Sequence, residues 1–143
     1  VSVTSFNRAA LLTGWVPNEE HSKEVARVIA NVENVREIIN ELNIGTKATG
    51  KMFARDTILT AKIKASFIDA EKLNANVVKV KTENRIVFLM GIVTQREADL
   101  AADIASRVKG TKRVVKVFEV KSEIEIANID AVINSQKPKK PSK

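Results

Sequence analysis

The chain has 143 residues, no cysteine, one histidine and a formal net charge of +7, with 44% apolar residues. This composition excludes disulfides, thiolate metal sites and a cysteine nucleophile, and it suits a globular fold of one ordinary domain or two small ones. No run approaches the ~20 apolar residues of a membrane-spanning helix, and no secretory h-region is present.

Taken in chain order, Val1, Val3 and Ser5 alternate as a first strand. Arg8 to Thr13 pairs back on it as a hairpin through a polar turn at Phe6-Asn7, and Gly14 ends that strand. Pro17-Asn18 opens a helix whose apolar stripe is Val25, Ala26, Val28, Ile29 and Val32, and Asn34 closes it. The β-branched segment Val35 to Leu42 completes this half. Residues 43–50, with two glycines, read as a linker. Asp56 to Ile68 reads as a helix capped by Asp56 or Thr57, with Leu59, Ile63 and Phe67 as its core face.

A strand from Asn76 to Thr82, a turn at Glu83-Asn84 and a strand from Arg85 to Met90 follow, the last ended by Gly91. Thr94-Gln95 opens a helix striped by Ala98, Ala101, Ala102, Ile104, Ala105 and Val108 and closed by Gly110. Thr111 to Val120 is the last strand. Ser122 to Ser135 is weakly helical, and Lys137 to Lys143 reads as a disordered basic tail.

The chain repeats itself. Asn7 to Val16 returns 77 positions on as Asn84 to Val93, with Asn, Arg, Leu, Gly and Val at the same five places. Val32/Val108, Ile38/Val114 and Leu42/Phe118 then pair at a spacing of 76. A period this long is a small domain rather than a solenoid unit. The expected fold class is α+β: two small αββαβ domains in tandem, at 1–42 and 51–120, joined by the linker 43–50 and followed by an extension over 121–143. The first has no residues before Val1 for its opening helix, so the native protein is expected to extend upstream, where any signal peptide would also lie.

Charge separates the two copies. Residues 1–42 carry four basic and six acidic side chains, whereas residues 51–120 carry fourteen basic and eight acidic, a net +6. The second copy is the one suited to an anionic partner.

No enzyme is visible. His21 stands beside Glu19 and Glu20 without converging partners and reads as a surface residue, and no phosphate loop, metal-ligand pair or nucleophile elbow occurs. No catalytic residue, metal or cofactor is expected. Nucleic acid is disfavoured as well: there is no Tyr, no aromatic sheet motif and no GxxG clamp, and Lys79 and Lys81 read as the solvated side of a strand.

The helix from Asp56 carries the main candidate. Ile58 is rotated off the core stripe and lies with Arg55 and Lys62, while Lys64 flanks another side. An exposed aliphatic tip among cations suits a lipid interface. The plainer alternative has Ile58 packing on the neighbouring module and the lysines simply solvated. Trp15, at the position of Ile92, reads as a packing residue between modules or a contact residue near a loop.

The hairpin, glycine and helix pattern resembles the BON domain of bacterial periplasmic proteins. It does so over Asp56-Thr-Ile-Leu-Thr-Ala-Lys62, Thr82-Glu-Asn-Arg-Ile-Val-Phe-Leu-Met-Gly-Ile-Val-Thr-Gln-Arg-Glu-Ala98 and Ala101-Ala-Asp-Ile-Ala-Ser-Arg-Val-Lys-Gly110, with Ser5 to Arg8 and Leu11 to Gly14 in the first copy. The resemblance covers about residues 1–120 and is to dual BON-domain outer-membrane lipoproteins. It implies a periplasmic protein held at the outer membrane by an acylated N-terminal cysteine that is absent here. It further implies a role in membrane integrity and anionic phospholipid binding by the second domain, which carries over to Arg55, Ile58, Lys62 and Lys64. The alternative is a scaffold that contacts protein partners of the envelope assembly machinery.

Overall fold

The computed structural model describes residues 1–46 and 50–136. The expected basic tail and linker residues 47–49 lie outside the described residues. In chain order the elements are β1 (Ser2–Phe6), β2 (Ala9–Val16), α1 (Glu19–Ala30), β3 (Glu37–Ile44), α2 (Gly50–Asp69), a 3-10 turn (Ala75–Val77), β4 (Lys79–Glu83), β5 (Ile86–Val93), α3 (Gln95–Arg107), β6 (Arg113–Val120) and α4 (Glu123–Gln136). The class is α+β, with two three-stranded sheets ordered β1-β2-β3 and β4-β5-β6. In each, the first pair is antiparallel and the second parallel. Gly14 faces Leu42 and Gly91 faces Phe118, so the repeat read from the sequence is also a repeat of strand register.

Local chemistry explains the elements, and it moves several expected boundaries. The hairpin turns are Asn7-Arg8 and Asn84-Arg85, one residue later than expected; all four residues have positive φ, which a two-residue turn of this hand requires. Gly14 and Gly91 lie within their strands rather than ending them, and β2 and β5 run on to Val16 and Val93. At Gly91 (φ +152) a Cβ would run into the Val77 carbonyl oxygen, so a bare backbone is what lets the 3-10 turn pack there. Gly91→Ala should therefore cost about 2 kcal/mol or more in a denaturant titration.

Pro17 precedes the cap instead of sitting in the first turn: Asn18 is the N-cap of α1 and accepts from the His21 amide. Thr94 and Glu97 form a reciprocal capping box on α3. The third strand runs to Ile44, and the strand expected from Asn76 starts at Lys79 because Ala75–Val77 coils into the 3-10 turn. The first helix stops at Ala30 with Asn31 as its C-cap, four residues before the expected closing residue Asn34, whose left-handed backbone (φ 70) belongs to the following turn.

Two apolar clusters hold the molecule. The larger joins Leu59, Ile63 and Phe67 of α2 and Ala98, Ala101 and Ala105 of α3 to Val80, Val87, Leu89 and Val93 of the second sheet. The three alanines leave space for close helix–sheet contact. The smaller is a seam between the two sheets, where Leu11 meets Phe88 and Met90, flanked by Phe6, Ile39, Ile86, Val115 and Val117. Arg113 and Glu41 also pair across the two halves at 3.2 Å.

Candidate functional site: the outer face of the α2 helix

The α2 helix begins at Gly50, six residues before the expected start. Asp56 therefore sits inside the helix and caps something else. It is buried, and its carboxylate accepts the backbone amides of Asn84 and Arg85 at 2.7 and 2.8 Å. The Arg85 side chain in turn donates through Nε to the Gly110 carbonyl at 2.7 Å. This chain of bonds fixes the β4–β5 turn and the α3–β6 loop against α2.

The turn-by-turn geometry of an α-helix gives α2 two apolar faces. Leu59, Ile63 and Phe67 point into the core as expected. On the opposite side Ala54, Ile58, Ala61, Ala65 and Ile68 form a second stripe, all exposed, with Ile58 at 57%. Cations flank this stripe on both sides. Lys51, Arg55, Ile58 and Lys62 line a pocket of about 570 Å³ together with Lys109, which reaches in from the α3–β6 loop.

Lys64 belongs to the other flank, in a groove of about 420 Å³ with Phe53, Thr57, Lys81 and Glu83. Arg55, Ile58 and Lys62 are thus brought together as the sequence indicated, while Lys64 is separated from them by the apolar stripe. None of Lys51, Arg55, Lys62, Lys64 and Lys109 has a carboxylate within ion-pair distance among the described residues.

Four contributors escaped the sequence reading. Lys51 and Phe53 lie in the unrecognised first turns of α2, and Ile68 was taken only as the helix end. Lys109 arrives from a distant segment, so no local spacing could have revealed it.

Glu83 borders the Lys64 groove. Burial raises its pKa above the ordinary carboxylate value; Lys81 and the N-terminal amine oppose the shift, while Asp56 adds to it. A raised folded-state pKa means that the fold favours the protonated form. Its stability contribution is complete below the unfolded pKa of about 4.5 and is lost as pH rises through the folded value. Glu83→Gln should remove that loss, so its stability advantage over the parent grows as pH rises from 4 to 7 in paired thermal melts.

Elsewhere, His21 is exposed, with Nδ1 2.8 Å from the Asn18 Oδ1. Trp15 is half-buried beside Gly45 and lines a cleft of about 930 Å³ with Phe53 and Lys81; its indole N–H has no partner among the described residues. Trp15 therefore stands between the halves. No helix among the described residues is long and apolar enough to cross a membrane.

Several known proteins are similar to this chain. One, from Haemophilus influenzae, is an outer membrane lipoprotein, DolP, 40% identical over 119 residues, which cover 83% of this chain and 62% of that protein. A 21 kDa hemolysin of Actinobacillus pleuropneumoniae is 35% identical, covering 82% of this chain and 61% of its own length. The osmotically-inducible protein Y of Escherichia coli is 31% identical, with 85% of this chain and 62% of that protein covered. The chain thus spans about three fifths of the length of these relatives. The model of the BON domain matches residues 1–46 and 55–122, the two segments that hold the two sheets. The chain belongs to the BON-domain family.

Proposed function

We propose that this protein is a non-enzymatic membrane-surface module whose two BON units stand in tandem. Its second unit docks on anionic phospholipid through the outer face of α2. The observation that carries this reading is Ile58, exposed within an apolar stripe and bordered by Lys51, Arg55, Lys62 and Lys109, cations with no carboxylate in ion-pair reach among the described residues. An aliphatic side chain gains by leaving water for the acyl boundary, while the cations meet lipid phosphates at headgroup depth. The same stripe left in water would be an exposed apolar surface with no packing partner.

Similarity to a protein named an outer membrane lipoprotein supports a place at the outer membrane, held by a lipid anchor; the inner face of that membrane as the docking surface, and a role in its integrity, belong to the proposal. No cofactor is needed for such a function.

Vesicle co-sedimentation tests the reading. The full chain should pellet with vesicles containing phosphatidylglycerol and stay in solution with neutral phosphatidylcholine vesicles. The bound fraction should fall sharply at about 1 M salt, where the Debye length is about 3 Å. Equal binding to both vesicle types would overturn it.

A further inference from the structure

The last helix is attached to the fold without being built into it. Ser122 caps α4: its hydroxyl accepts the Glu125 amide at 3.2 Å and its carbonyl accepts the Ile126 amide at 3.0 Å. The helix then runs for 14 residues and buries none of them, with Ile124 75% and Ile133 48% exposed. A helix this short is marginal alone in water and takes most of its stability from an apolar face packed on something.

The turn of an α-helix places Ile126, Ile129 and Ile133 on one stripe of α4. Glu125 flanks that stripe on one side, Glu123 and Asp130 flank it on the other, and the helix contains no cation. Neither Glu123 nor Asp130 has a cation within ion-pair distance among the described residues. The outer face of α2 carries the same pattern with the opposite sign. Its stripe of Ile58, Ala61, Ala65 and Ile68 has Arg55 and Lys62 on one side and Lys64 on the other. The two faces match in apolar character and oppose in charge along both flanks.

The α2 helix of the same chain is out of reach. Only Lys121 and Ser122 separate β6 from α4, and three Cα steps span at most about 11 Å. Strand β6 lies two places from β4, about 10 Å across the sheet. The α2 helix sits over β4, where the Thr60 and Thr82 hydroxyls are 2.7 Å apart, and α3 sits over β6, where Asp99 meets Lys116 at 3.4 Å. The α3 helix therefore stands between the end of β6 and α2, whose outer face lies a further helix diameter of about 10 Å above the sheet.

We propose that two copies of this chain associate by exchanging α4, which lies along the outer face of α2 in the partner copy. The isoleucines of α4 cover Ile58, and its carboxylates meet Arg55, Lys62 and Lys64. Made reciprocally, the contact closes as a two-fold dimer with no open end for further growth. The association does not depend on the lipid reading; only a competition between dimer and membrane for Ile58 rests on it.

The test needs no lipid. Sedimentation velocity of residues 1–143 should show a dimer at about 100 µM chain, a weak association in keeping with a small interface. The dimer should dissociate at about 1 M salt, where the Debye length is about 3 Å. Two charge-reversed chains then test the pairing, one with Glu125→Lys and Asp130→Lys, the other with Lys62→Glu and Lys64→Glu. All four positions are exposed, so both variants should melt with the parent. Each alone should dimerise at least about tenfold more weakly, and an equimolar mixture should recover the dimer, because both reciprocal contacts again join opposite charges. A parent chain that stays monomeric would overturn the proposal, as would a variant that dimerises like the parent. A mixture that stays monomeric would overturn it too, since α4 would then not be exchanged between copies.

Discussion

Asp56→Ala should destabilise the second half by about 3 kcal/mol, because two charge-assisted hydrogen bonds disappear and two amides lose their acceptor. Denaturant titration would show this as a lower midpoint at unchanged slope. Heating would show it as a melting point lower by roughly 12–24 °C for a unit of this size. The effect should reach beyond the turn. Arg85 holds the Gly110 carbonyl, so loosening its backbone also releases the loop that carries Lys109, and vesicle binding should weaken with stability. Asp56→Asn should lose less, since one acceptor oxygen remains. If Asp56→Ala melts with the parent chain, the carboxylate is not what holds the turn.

The largest effect on binding is expected at Ile58. Ile58→Glu should weaken association with phosphatidylglycerol vesicles by about 30-fold or more, equivalent to about 2 kcal/mol. It both withdraws an aliphatic side chain from the interface and places an anion against anionic headgroups. The melting temperature should not change, because the residue is exposed and makes no contribution to the core. Ile58→Trp should bind more tightly, as an indole partitions well into the interfacial region. Undiminished binding by Ile58→Glu would remove the α2 face from consideration and favour a protein partner for this module.

Much of the fold was legible because duplicated sequence constrains duplicated structure. The shared Asn-Arg, Gly and Val positions placed both hairpins, and the change of spacing from 77 to 76 located the third strands in register. Boundaries moved where tertiary contacts outweigh local preference. Asp56 has the chemistry of a helix cap, and it does cap backbone amides, but those of a turn 28 residues away. That use cannot be inferred from local spacing, and it hid the first turns of α2.

The site was legible to a similar depth. Ile58, Arg55 and Lys62 share a helix flank, so periodicity alone could group them. Lys109 depends on how the α3–β6 loop folds back, and the outer stripe of Ala61, Ala65 and Ile68 was masked by the stronger core stripe. A helix that is apolar on two faces has weak apparent amphipathicity, so neither face announces itself.

The seam of Leu11, Phe88 and Met90 has a mechanical consequence. Because the sheets meet through packed side chains, that packing sets the angle between the halves. A surface that orients α2 thereby orients the first half too. Enlarging Leu11 or trimming Phe88 would change the angle between the halves without touching the outer face of α2.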